Sequence, residues 1–107
     1  MPTQNDILFH PEASDEYATS YAWYYGKGAH VADIFEREVK RSLRLIADYP
    51  RRWPVYRGKY RRIMVRRFPF SLVYAFYEEH LVIVAVVHGS RRPGYWKSRK
   101  ASDAIRQ

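Results

Sequence analysis

Residues 81–87 read Leu-Val-Ile-Val-Ala-Val-Val, seven consecutive apolar residues with no polar position to turn toward water. Five of them are β-branched, which favours an extended backbone. A strand that is apolar on both faces sits inside a sheet, not at its edge. The run is far short of the roughly 20 residues that a membrane-spanning helix needs. Whatever else this chain does, it builds a sheet around these residues.

The segments before the run supply the rest of an α+β domain. Ile7-Leu8-Phe9 is too short for a helix and is closed by His10-Pro11, so it reads as a first strand. Pro11 then suits the first turn of a helix, and Glu12, Asp15 and Glu16 suit its positive end. Ala13, Tyr17, Tyr21 and Tyr24 share one helical face, and Gly26 and Gly28 are expected to end that helix. A second helix is predicted from Ala29 to Tyr49, with Val31, Phe35, Val39, Ser42, Leu43 and Ile46 as its inner stripe. Pro50 closes it. Arg51 to Tyr60, with Pro54 and Gly58, reads as a loop.

Beyond it the period changes to two. Ile63 and Val65 face one way, and Arg62, Met64 and Arg66 the other. Residues 68–77 are rich in β-formers, and the short connections Arg67–Pro69 and Glu78–His80 suit hairpins. The expected architecture is an N-terminal strand, an antiparallel helix hairpin and a three-stranded antiparallel meander, in one domain covering residues 1–107. Residues 97–107 are expected to form a polar tail or a short helix.

Charge divides this domain in two. Residues 1–49 hold five Lys/Arg against eight Asp/Glu, a net of −3. Residues 50–107 hold fourteen against three, a net of +11. Arginine supplies most of the positive charge, and its fork suits phosphate and carboxylate groups. A basic half facing an acidic one points to nucleic acid or an acidic protein segment as partner. A solvated basic face without a dedicated partner is the plainer alternative. No cysteine is present, which excludes disulfides and thiolate metal sites and suits a reducing, cytoplasmic setting. Residues 1–6 lack the layout of a secretory signal, and no membrane association is expected.

The basic half ends in Val86-Val87-His88-Gly89-Ser90-Arg91-Arg92-Pro93-Gly94-Tyr95-Trp96. His88 emerges where the central strand stops, and Arg66 and Arg67 are its expected neighbours. Arg61 and Arg62 begin the same strand as Arg66 but at its other end, and strand order is open at this level. Cleavage of RNA through its own 2′-hydroxyl needs a base, cations at the phosphate and a donor for the leaving oxygen. His88, Arg91 with Arg92, and Tyr95 are the residue types for those tasks. The plainer reading has His88 capping the strand while Tyr95 and Trp96 pack back onto the domain. Four histidines without acidic residues at ligand spacing make no metal site, and no cofactor motif occurs.

Three stretches in order, Phe9 to Tyr17, Gly58 to Tyr77 and Val86 to Arg99, make the chain similar to the RelE/ParE family of bacterial toxins. These belong to type II toxin–antitoxin modules, and some members are described as plasmid stabilisation proteins. The resemblance covers about residues 7–99. It implies a β-α-α-β-β-β domain, growth inhibition, and an antitoxin that wraps the toxin with an otherwise disordered segment. RelE-like members cleave messenger RNA on the ribosome with basic residues and a C-terminal tyrosine, for which Tyr95 is the counterpart here. ParE-like members poison DNA gyrase and are not nucleases. The spacing of His88 and Arg91 looks more like the ParE side. His88, Arg91 and Tyr95 are therefore catalytic candidates only for a nuclease. Arg61, Arg62, Arg66, Arg67, Arg91, Arg92 and Trp96 are the candidate target-binding residues in either case.

Overall fold

A computed structural model describes residues 6–105. The polar start and the last two residues of the expected tail, Arg106 and Gln107, lie outside it. Strand β1 (Ile7–Phe9) leads into helices α1 (Pro11–Lys27) and α2 (Ala29–Asp48), and four strands follow: β2 (Val55–Arg57), β3 (Tyr60–Met64), β4 (Phe70–Tyr77) and β5 (His80–His88). One five-stranded sheet runs in the order β1-β5-β4-β3-β2. β1 is parallel to β5, and the other neighbours are antiparallel.

The expected meander is therefore part of a larger, mixed sheet. The stretch read as a loop contains β2, which pairs with β3 through Val55–Arg61 and Arg57–Tyr60. Its prolines and glycine dominate the sequence signal, yet a three-residue edge strand needs only a neighbour with open backbone groups. β1 pairs with β5 because helices α1 and α2 carry the chain back across one face, which is the ordinary way to reach a parallel neighbour.

Helix α1 starts as its sequence suggests. His10 caps it by accepting the Glu12 N–H at its Nδ1 (3.1 Å), and Pro11 takes the first turn. Gly26 continues the helix, and Gly28 (φ 153°) ends α1 and begins α2. A Cβ on Gly28 would lie 3.1 Å from the His30 ring, so the tight turn needs glycine. α2 buries Phe35, Val39, Ser42, Leu43 and Ile46 against the sheet. Tyr74 fixes the exit of α2 by donating its hydroxyl to the Pro50 carbonyl (2.7 Å).

Two cores flank the sheet. The larger lies under the helices and includes Phe35, Ile46, Leu72, Tyr74, Leu81 and Ile83. The smaller covers the opposite face, where Val73, Val82, Val84 and Ala85 meet Trp96, Ala101 and Ala104. This second core explains why β5 is apolar on both sides. The segment after β5 folds back over the sheet and ends in a short 3-10 turn, Ala101–Ala104. Of the two expected forms, a polar tail or a short helix, the described part takes the second and packs as a cover through Ala104.

A β-bulge decides which side the end of β5 presents. Tyr74 pairs with Ile83 and Val73 with Ala85, so Val84 is an extra residue. Val84 and Ala85 both join the second core, and the alternation beyond them is inverted. Val86 consequently turns toward the helices, and His88 sets its ring edge-on to Phe70 at 5.0 Å.

Candidate functional site

β1 stops at Phe9, so beyond Ile83 the outer edge of β5 has no strand beside it. Two side chains replace one. Glu16 of α1 accepts the Val86 N–H at its Oε1 (3.0 Å), and Arg99 donates to the Val84 carbonyl (3.0 Å). These two side chains meet in a bidentate pair, Nη1 to Oε1 and Nη2 to Oε2, both at 2.9 Å. Tyr95 adds its hydroxyl to Glu16 Oε2 at 2.6 Å. The carboxylate therefore ties α1, β5 and the C-terminal cover together. Partial burial pushes the Glu16 pKa up, but the bonds from Arg99, Tyr95 and Val86 outweigh it and leave it below the usual carboxylate value. Tyr95 shifts the opposite way: burial and its bond to Glu16 hold the phenol proton well above the usual range.

On this support stands Arg91. Its guanidinium lies over the Tyr95 ring at 3.8 Å, with Nη1 4.0 Å from Glu16 Oε2. Half of its side chain stays exposed. It borders a groove of about 130 Å³ on the sheet face away from the helices, together with Arg62, Met64, Tyr56, Val87 and His88. Arg62 stacks on Tyr56 at 3.9 Å. The groove thus presents two guanidinium groups, each resting over an aromatic ring. Such stacking orients an arginine while leaving its edge N–H donors open for carboxylate or phosphate.

The fold disperses the remaining arginines. Arg61 is drawn back by the carbonyls of Trp53 and Arg51. Arg66 lies on the helix side, paired with the buried Glu38 at 3.2 Å. Arg67 sits in the β3–β4 turn at φ 74°, and both it and Arg92 are exposed outside the groove lining. Trp96, expected as a surface contact, is 1% exposed. Its ring packs at 4.8 Å from Tyr60 and forms the floor of the groove, because the second sheet face needs a large apolar cover. Only Arg62, Arg91 and His88 of the expected set come together at the groove with exposed polar atoms.

His88 is held by its own loop. Its Nδ1 accepts the Ser90 N–H at 3.0 Å, with the Ser90 hydroxyl at 2.8 Å. In the neutral ring that bond places the proton on Nε2. Among the described residues, no group of three His, Cys, Asp or Glu side chains could hold a metal ion. No helix is long and apolar enough to cross a membrane.

The N-terminal strand followed by a helix hairpin fits the order that the RelE/ParE resemblance implies. The model for the ParE toxin of type II toxin–antitoxin system, parDE, matches residues 7–93. The chain belongs to the ParE toxin family. No curated protein matches it closely enough to be counted as a relative. Membership makes it the toxin of a type II module with a cognate antitoxin as partner. The ParE match ends before Tyr95, Trp96 and Arg99, so the cover over the second core lies beyond the matched region.

Sequence reasoning missed Glu16, Arg99 and Tyr56. Glu16 reads as a helix-start acid, and only the meeting of α1 with the end of β5 gives it four partners. One signal was available: Glu16 directly precedes Tyr17 of the tyrosine-rich helix face, in a chain whose last segment is strongly basic.

Proposed function

We propose that this ParE family toxin arrests growth in the cytoplasm by poisoning DNA gyrase, with its antitoxin relieving the arrest. The observation that carries this reading is the state of its two acid–base candidates. The Nδ1 of His88 is engaged inside its own loop, accepting the Ser90 N–H with the Ser90 hydroxyl beside it. Tyr95 donates its proton to Glu16 and is biased against releasing it. A general base needs an open lone pair and a general acid a transferable proton. What remains in the groove is binding chemistry: Arg62 and Arg91 on their aromatic supports, above an apolar floor. That combination suits seizing a carboxylate- or phosphate-bearing surface and holding it.

The alternative is RelE-like cleavage of messenger RNA on the ribosome, with His88 and Arg91 as the reacting groups. Supercoiling by purified gyrase and messenger RNA integrity with purified ribosomes distinguish the two. The chain is expected to inhibit the first and spare the second. Arg62→Ala combined with Arg91→Ala should abolish toxicity, whereas His88→Ala should retain much of it. Ribosome-dependent cleavage lost in His88→Ala would establish the nuclease reading instead.

A further inference from the structure

A hollow larger than the groove lies elsewhere on the molecule. A cavity of about 540 Å³ lies on the helix side of the sheet, between the C-terminal half of α1 and the start of β4. Its walls are Trp23, Tyr24 and Phe70, with Thr19, Ser20 and His88 contributing polar atoms, and no carboxylate lines it. Trp23 is 60% exposed although it is the largest apolar side chain at the mouth. Its ring is fixed, edge-on to Tyr24 at 5.0 Å and capped by the Lys27 ammonium at 4.7 Å. A cation marks the opening. The Lys27 ammonium tops the Trp23 wall, and Phe68, beside the lining residue Pro69, sets its ring 5.0 Å from Tyr24. Among the described residues no carboxylate pairs with Lys27.

We propose that this cavity receives an aromatic or large aliphatic side chain carried on an acidic segment of the antitoxin. A preformed aromatic hollow without a lining carboxylate, topped by Lys27 on a domain whose residues 50–107 carry a net +11, matches such a segment in both shape and charge. A nucleobase fits less well, since its edge needs matched donors and acceptors and the walls are mostly apolar rings. Position points to the antitoxin. His88 and Phe70 border both this cavity and the groove, so an occupant here abuts the face proposed to engage the target. The inference rests on family membership and not on the choice of gyrase over ribosome.

The test is a nuclear magnetic resonance titration of the full chain with a short polyglutamate peptide bearing one central phenylalanine. The same peptide with alanine at the centre, and adenosine monophosphate, are the comparison probes. The phenylalanine peptide should shift the Trp23 indole and His88 signals and bind about 10-fold or more tightly than the alanine peptide. Trp23→Ala, at an exposed position, and Thr19→Trp, which fills the cavity, should each remove that preference while thermal melts stay unchanged. The response should vanish once the antitoxin from the neighbouring gene is bound. Equal binding of the two peptides, stronger shifts of the same signals by the nucleotide, or a response that persists in the toxin–antitoxin complex would each overturn the proposal.

Discussion

Glu16 is the residue whose removal should do most to this fold for its size. Its carboxylate satisfies a guanidinium, a phenol and a backbone N–H at once, at 2.6–3.0 Å. The Arg99 side chain is only 9% exposed, so deleting its partner leaves a charge that water reaches poorly. Breaking one side of a buried pair costs about 3–5 kcal/mol, and an orphaned buried donor such as the Val86 N–H about 1–3. Glu12, 3.6 Å from Arg99 and largely exposed, recovers part of the loss. Glu16→Ala should therefore destabilise by about 3 kcal/mol, a large share of a typical domain's 5–15. Glu16→Gln, which keeps acceptors but loses the charge, should cost about 2 kcal/mol. Urea titrations measure both, and a fall of about 12 °C in Tm should accompany the first. The acid limb supplies a second readout. The folded-state pKa of Glu16 is lowered, so its contribution is present above the ordinary value near 4.5 and is lost as pH falls through the folded value. The stability gap between the parent and Glu16→Gln should accordingly close as the solution is acidified below that point. Glu16→Ala within about 1 kcal/mol of the parent would refute the reasoning. So would strict additivity with Arg99→Ala, since touching partners must couple.

Trp96→Ala should cost about 3–5 kcal/mol, because it empties the centre of the second core, whereas Trp23→Ala should stay within about 1 kcal/mol; denaturant midpoints compare them directly. Alkali should weaken the fold before arginine titrates. Burial and the charge of Glu36 push Tyr17 up to about 12, and burial pushes Tyr74 to about 12 against the pull of Arg61. Raised folded values mean that stability is intact below the ordinary tyrosine value of 10 and declines as pH rises from there through 12, which unfolding curves read alongside tyrosinate absorbance. Antitoxin association should slow with added salt more than dissociation quickens, because the +11 half steers the approach; stopped-flow rates independent of salt would contradict this.

Much of this architecture was legible in the chain because it follows from local rules. Pro11 after His10, Gly28 between two periodic segments and Pro50 after Tyr49 punctuate the helices, since each acts through its own backbone. The all-apolar run at residues 81–87 announced an interior strand for the same kind of reason: solvation penalises it anywhere else. The family resemblance and the basic character of the C-terminal half were equally open to reading.

What the chain alone left undetermined depends on residues far apart in sequence. β2 exists because β3 offers it a partner, and Trp96 is buried because the sheet has a second face that no helix covers. The extra residue at Val84 leaves no mark in a run of similar side chains, yet it inverts every position beyond it and sets which face His88 meets. Glu16 and Arg99 are 83 residues apart, and nothing in either neighbourhood calls for the other. The arginines show the same division. Sequence supplied their number and their abundance in one half; tertiary structure assigned Arg66 to Glu38, Arg61 to the carbonyls before β2, and Arg62 and Arg91 to the groove. Composition fixes how much charge a domain carries, but only packing decides which guanidinium groups are already spent on the fold and which still face a partner.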